Sequence, residues 1–538
     1  PGTGGASCAT GARQGRNAVD EQFRVGVFSP NDPRPWVRSE NLDMMLAYEG
    51  HLVSALRERG VEVVRGGEGL PREDQIAWST ALVKDHVERI AARRPAALIV
   101  NQGSWTFPYD SIDAVKLLSI LTGEVPRVVI WCYKDTHVPG LVAGMAAGGG
   151  LKRIGVPFTT CYGQIDKDAG AADRLMEVLD FHRRRWESGP AVLGALEALP
   201  FQKYLALGGM SLKMSTTTAD VDQWQKLFGV SYEALDQSVL PVRASRMVRW
   251  SGKPGATDYE ITDERVAAAL EFLVAGGHGT FDFEGEATTS LARFALQLAM
   301  YFAALDIAEE YGITFMGIKC QDELSAEYCT MCPAAAFLNN DVGPDGSEKR
   351  VVPMACENDM DSALTQLLLH LLSGEPSGFG DFRDVDDGVL AIVNCGQHPH
   401  YFFGGPDEDA IVKLSRAEYP GQEIFYAAGG CAVRGRTPGG QTMTIARLGR
   451  QNLRYELVAT VMETVGVEES EHELYSRSWP IIKGRVPVPD EVLIDVWPCN
   501  HLAFVYGDWT AALAELAHRL DIGFRIFDRR GREYYKPA

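Results

Sequence analysis

The sequence predicts an α/β protein: two Rossmann-like, doubly wound α/β domains followed by a β-rich C-terminal domain. Three observations predict it. From about residue 22, apolar runs of strand length alternate with amphipathic helical patterns, as in a parallel sheet covered on both faces. A second alternation of this kind begins near "YLALGGMSL" (204–212). From about residue 373 the chain becomes richer in Gly and Pro and carries short β-like runs. A chain of 538 residues is too long for one core, so several domains are expected. The divisions read as a disordered tail over 1–21, an N-terminal α/β domain over 22–193, a second α/β domain over 194–372 and the β-rich domain over 373–538.

The elements follow in order. "FRVGVF" (23–28) and "VEVVR" (61–65) read as strands. Between them, "SENLDMMLAYEGHLVSALRERG" (39–60) reads as a capped amphipathic helix ending at Gly60. "ALIVN" (97–101) and "RVVIWCY" (127–133) are fully apolar strands with helical patterns between them. "GGGLKRIG" is glycine-rich but lacks the strand–turn–helix setting of a nucleotide fingerprint. In the second domain, long helices are expected at 262–276 and 286–310 and a strand at "ITFMGIK" (313–319). Leu364, Leu367, Leu368 and Leu371 then keep the i, i+3, i+4, i+7 spacing of an amphipathic helix, which Ser373-Gly374-Glu375-Pro376 ends. "GVLAIVN" and "QTMTIARL" read as strands and "DWTAALAELAHRL" as a closing helix.

Composition narrows the function. The chain is 46% hydrophobic and 23% charged, with a formal net charge of −20. Diffuse acidity of this size argues against a nucleic-acid or anionic-membrane partner. No apolar run is expected to reach the roughly 18 residues of a membrane span. The N-terminus has no apolar run of the secretory type. Ten scattered cysteines fit reduced, buried thiols in a cytoplasmic protein. Cys329 and Cys332 form a single CxxC, which argues against a zinc knuckle. His398 and His400 read as part of a solvated loop.

Carboxylates stand at both ends of the leucine-rich helix, Glu357 before it and Asp381 after it. Taken alone they read as a helix-start acid, favoured by the helix dipole, and a loop acid. A third polar group, His501 in an Asn500-His501 pair, changes the weighting. Two carboxylates and one imidazole make a site for a divalent ion with open positions, with Mn²⁺ or Mg²⁺ suited to the oxygen ligands. Spacing alone does not bring the three together. Trp105 follows a buried strand, so it lies at the carboxyl end of a parallel sheet, where ligands of open α/β folds bind. Its indole can stack on the apolar face of a sugar or simply cover the sheet edge.

From about residue 23 to the end, the chain resembles the L-fucose isomerases and, more distantly, the L-arabinose isomerases. The resemblance is carried by "ENDMDSALTQLLLHLLSGEPSGFGDFRDV", by "GIKCQ", "SWTFPYDSID", "DPRPWVRSE" and "LGGMSLKMSTT", and by the Asn500-His501 pair. It implies that Glu357, Asp381 and His501 bind Mn²⁺, with Mg²⁺ or Co²⁺ as substitutes. The two carboxylates keep the family's separation of 24 residues (381 − 357). It also implies that Gln321, Trp105, Arg34 and Asn500 contact the sugar. The implied reaction is aldose–ketose isomerisation through an ene-diol, with Glu357 and Asp381 moving protons between C1 and C2. The divalent ion would stabilise the developing negative charge. A homo-oligomer, hexamer or trimer, is implied, in which the first domain of one subunit caps a neighbour's active site.

The chain departs from the family at "GGCAVRGRTPGGQTMT" (429–444), where Cys431 stands in place of a sugar-contacting aromatic and Arg434 and Arg436 follow. A smaller, more polar wall leaves three readings: an isomerase of L-fucose or a D-arabinose-like aldose, an isomerase of a modified sugar such as sulfoquinovose with Arg434 on its anionic group, and a catalytically silent sugar-binding or regulatory protein. The retained Glu–Asp–His set favours an enzyme.

Overall fold

A computed structural model describes residues 22–250, 259–283, 289–423 and 426–538; the tail expected over 1–21 lies outside them. The protein is mixed α/β and divides into two compact units, one ending at Leu179 and the other running from Asp180 to Ala538.

The first unit is built on five parallel strands, β1 (Arg24–Phe28), β2 (Glu62–Arg65), β3 (Ala97–Gln102), β4 (Arg127–Tyr133) and β5 (Phe158–Gly163), in the order β2-β1-β3-β4-β5. β3 and β4 are buried along their whole length, as their unbroken apolar runs require. The helix after β1 spans Pro35–Glu58 and starts a turn earlier than the expected 39–60. Pro35 stands in its first turn, where a missing N–H costs nothing and the ring's fixed φ suits the helix.

In the second unit, β6 (Lys203–Leu207), β7 (Ser231–Leu235), β8 (Phe315–Ile318) and β9 (Met354–Cys356) form a parallel sheet in the order β9-β8-β6-β7. The C-terminal part forms a large mixed sheet from β10 (Gly378–Asp386), β11 (Val389–Val393), β12 (Thr442–Gln451), β13 (Arg454–Val465), β14 (Ile481–Arg485), β15 (His501–Tyr506), β16 (Gly523–Phe527) and β17 (Glu533–Lys536). Strands β12-β15-β10-β11-β14-β13 pair antiparallel in that order, and β13 pairs back onto β12, so six strands close a ring. Closure removes the free edges that six exposed strands would present.

Side-chain alternation sorts the ring's two faces. Along β15, Leu502, Phe504 and Tyr506 join an apolar cluster with Leu390, Ile392, Met443, Ile445 and Ile482. Ala503 and Val505 face the other way, into the cluster that includes Leu364, Leu367 and Leu368 of the helix Met360–Ser373. That helix ends at Gly374, whose φ of 76° is the left-handed cap that glycine supplies without penalty.

Two expectations are corrected. The helix Leu291–Tyr311 is long and apolar enough to cross a membrane, although no such segment was expected; most of it is buried inside this unit, as in a core helix. The His398–His400 segment is not a solvated loop. Both imidazoles are fully buried, and His400 Nε2 lies 2.8 Å from the Tyr419 hydroxyl. The apolar turn that follows, with Tyr401 and Phe402, packs into the ring cluster and draws the histidines in with it. Burial pushes both imidazoles down to about 3, so they are neutral.

Candidate active site

The closed ring places two of the three predicted groups side by side. Asp381 in β10 is the direct cross-strand partner of His501 in β15. Opposed residues of an antiparallel pair project to the same face. For His501 that is the face of Ala503 and Val505, and for Asp381 that of Phe379, so both look toward the helix Met360–Ser373. The Phe379 ring packs 4.8 Å from the imidazole.

Glu357 reaches the same place from the other sheet. It directly follows β9, at the carboxyl edge of the four parallel strands. Glu357 and Asn358 both adopt left-handed backbone conformations, with φ of 58° and 50°. Such conformations persist only where the surroundings enforce them. Here the Asn358 side chain is tied at both ends. Its Oδ1 accepts from the Tyr204 hydroxyl at 2.7 Å, and its Nδ2 donates to the carbonyls of Gly208 and Gly209 at 3.1 and 3.3 Å. Residue 317 has to be glycine for this contact, because a Cβ there would stand 2.0 Å from the tyrosine oxygen.

The three groups meet around one imidazole nitrogen. His501 Nε2 lies 3.0 Å from Glu357 Oε2 and 3.4 Å from Asp381 Oδ1. Its other nitrogen, Nδ1, is 2.6 Å from Oδ2 of Asp359. Asp359 is fully buried; its Oδ1 caps the helix by accepting from the Ser362 N–H at 3.0 Å and receives Arg447 Nη1 at 2.9 Å. Arg447 is itself buried, and it also donates to the Thr216 carbonyl at 3.0 Å.

Electrostatics follow from this geometry. Burial alone would raise the Asp359 pKa, but Arg447 and His501 overcome it and hold the carboxyl at about 2. Burial opposes protonation of His501, yet the flanking Asp359 and Glu357 carboxylates hold its pKa well above the ordinary imidazole value. Asp381 behaves in the opposite sense. Crowding by protein atoms pushes its carboxyl up to about 6, with His501 opposing and the charge of Glu357 adding to the rise. With 40% of that side chain exposed, solvent moderates the shift.

The donor set suits a divalent ion. Two ligands that each sit about 2.1 Å from one ion at a right angle are roughly 3 Å apart, close to the 3.0 and 3.4 Å found here. As they stand, the side chains are closed on one another as ion-pair contacts, and among the described residues no three such groups are splayed around a common centre. An ion would occupy the place of the Nε2 proton. Asp359 fixes Nδ1 as the protonated nitrogen and leaves Nε2 for coordination.

Other predicted residues divide. Gln321 Nε2 lies 3.4 Å from Glu357 Oε1, and Asn500 Nδ2 lies 3.2 Å from Asp381 Oδ1, so both border the cluster. Cys431 does not fit a sugar contact. It is fully buried, with its thiol 2.9 Å from the Thr289 hydroxyl and its N–H donating to Gln297, which leaves no surface for a sugar. Arg434 is likewise engaged. Its guanidinium is buried between Glu418, at 2.7 Å, and Glu469, and Arg436 shares Glu469 at 3.2 Å. The anionic sugar contact expected of Arg434 therefore loses its free cation. In the first unit, Arg34 pairs with Asp32, and its guanidinium lies 6.0 Å from the ring of Phe107. Half-buried Trp105 follows the carboxyl end of β3 in the same loop as Phe107.

Three residues were missed from the sequence. Asp359 and Arg447 orient His501; in sequence Asp359 carries no signal beyond its place at the start of the leucine-rich helix. Tyr426, whose hydroxyl is 3.3 Å from Gln321 Nε2, supplies an aromatic beside the cluster. The departure from the family pattern at Cys431 was the only hint that an aromatic should be sought nearby.

Comparison with known proteins agrees with this architecture. Residues 22–185 match the family model described as L-fucose isomerase, first N-terminal domain, and residues 392–527 match L-fucose isomerase, C-terminal domain. Proteins named L-fucose isomerase from Escherichia coli O1:K1, O45:K1 (strain S88) and O9:H4 (strain HS) are each 22% identical, covering 84% of this chain and 83% of the relative. Glu357 and Asp381 fall between the two matched stretches, and His501 lies within the second. The protein is an enzyme of the aldose–ketose isomerase class, an intramolecular oxidoreductase. It belongs to the L-fucose isomerase family.

Proposed function

We propose that this enzyme interconverts an aldose resembling L-fucose or D-arabinose with its 2-ketose, using one divalent ion held by Glu357, Asp381 and His501, Mn²⁺ foremost. The observation that carries the reading is the convergence of both carboxylates on His501 Nε2, with Nδ1 pinned by Asp359. In this reading one carboxylate of the pair takes the proton from C2 and returns it at C1, while the other moves a proton from O2 to O1. When bound, the ion supplies positive charge that favours the ene-diolate. Gln321, Asn500 and Tyr426 orient sugar hydroxyls around the pair. The deciding experiment is a screen of neutral aldoses with added Mn²⁺, scored by ketose formation; failure of every aldose to react would reject the reading.

Asp359 acts through His501. Asp359→Asn keeps the shape and a helix-capping oxygen but loses the charge that orients the imidazole. It is expected to weaken Mn²⁺ affinity about 10–100-fold, measured by calorimetric titration, with thermal melting to confirm the fold. Unchanged affinity would remove Asp359 from the site.

The reading extends to assembly and to fold. A homo-oligomer, hexamer or trimer, would complete each site with Arg34 and Trp105 from a neighbouring chain. Mixing inactive Trp105→Ala and Glu357→Gln subunits should then regenerate some activity, and a fully active monomer would refute it. The β2-β1-β3-β4-β5 order and the second parallel sheet support Rossmann-like, doubly wound units.

A further inference from the structure

Three thiols from separate elements converge beside the acid–base pair. Cys332 begins the helix Cys332–Leu338, Cys356 ends β9, and Cys395 lies two residues past β11. Cys356 Sγ and Cys395 Sγ are 3.9 Å apart, in van der Waals contact. Cys332 is already engaged, since its thiol donates to the Cys395 carbonyl at 3.1 Å and receives Gln422 Nε2 at 3.0 Å. Cys356 is buried, whereas Cys395 is partly exposed and open to a small reagent. An accessible thiol beside a second thiol is the arrangement that peroxides convert to a disulfide.

We propose that Cys356 and Cys395 are a site of reversible oxidation, closing to a disulfide on reaction with hydrogen peroxide. The Cys395 thiolate attacks one peroxide oxygen and the O–O bond breaks. This leaves a sulfenic acid on Cys395 and releases the other oxygen as water once protonated. The Cys356 sulfur then attacks the sulfenic sulfur; the S–S bond forms, the S–O bond breaks, and a second water leaves. Two thiols and one peroxide give one disulfide and two waters, with two electrons passing from the sulfurs to the peroxide oxygens.

The pair is tied to both carboxylates of the proposed site, to Glu357 along the backbone and to Asp381 through a strand pairing. Cys356 directly precedes Glu357, and Cys395 lies two residues beyond Val393, the cross-strand partner of Asp381. Closing the sulfurs from 3.9 Å to about 2.05 Å pulls on both anchors at once, so oxidation lowers isomerase activity. This second effect rests on the proposed reading of the site; the disulfide itself does not.

The test treats the full-length protein with hydrogen peroxide, blocks the remaining thiols and maps peptides by mass spectrometry without reduction. A Cys356–Cys395 linked peptide is expected, lost on adding dithiothreitol and absent from Cys395→Ser. In Cys356→Ser, Cys395 should be trapped by dimedone as a sulfenic acid. No crosslink in the folded protein, or preferential linkage of Cys332 to Cys395, overturns the proposal. In parallel, isomerase activity is expected to fall at least about tenfold with crosslinking, to return with dithiothreitol, and to resist peroxide in Cys395→Ser. A crosslinked enzyme of unchanged rate overturns the coupling to the site. Absence of isomerase activity in the reduced protein rejects the functional reading, while the peptide map still decides the disulfide.

Discussion

Asp381→Asn is expected to lower kcat for ketose formation by about 10²–10⁴, the usual loss when a positioned acid–base group is removed. The amide keeps the side chain's shape and one oxygen beside His501, but it cannot accept a proton at neutral pH. The fold should survive, because Asp381 lies at the mouth of the site with 40% of its side chain exposed, and its backbone pairing with His501 does not depend on the side chain. The measurement is turnover on the best aldose of the screen, with a melting curve on the same sample. Near-normal turnover would show that Asp381 does not carry the proton. Glu357→Gln is the matching substitution on the other side of the imidazole, and comparison of the two identifies which carboxylate the rate depends on more.

Removal of divalent ions is expected to abolish activity, and Mn²⁺ to restore it. Without an ion, His501 Nε2 is left in contact with Glu357 and Asp381 at 3.0 and 3.4 Å, so the groups needed for catalysis are held by one another. A readout independent of turnover is available. An ion that binds only the folded state stabilises it by about 2.7 kcal/mol at a hundred times its Kd, so the chelated protein should melt lower and recover with Mn²⁺. Full activity after exhaustive chelation would overturn the metal assignment.

Much of the local structure was legible before any coordinates, because it rests on short-range periodicity. The apolar runs 97–101 and 127–133 appear as β3 and β4, and the leucine spacing after residue 360 appears as the helix Met360–Ser373. The set Glu357, Asp381 and His501 was picked out by the family resemblance, while only the fold brings the three groups together. Helix starts were less so, since the helix expected from residue 39 begins at Pro35.

What the sequence determined by itself was the α/β class, the order of most elements, the family resemblance and the three groups at the centre of the site. Tertiary structure alone decided what those groups touch. Asp359 looks like a helix-dipole acid in sequence, and only the fold brings it to His501, 142 residues away, and to Arg447, 88 residues away. Arg434 reads as a free cation until Glu418 and Glu469 are seen to enclose it. Cys431 reads as a pocket wall until it is found inside the core. The histidines at 398 and 400 read as solvated until the ring cluster draws them in. The physical reason is common to all four. Periodicity records which face of one element is apolar, whereas burial, charge pairing and pKa depend on elements that closure of the ring and the parallel sheet bring together from distant parts of the chain.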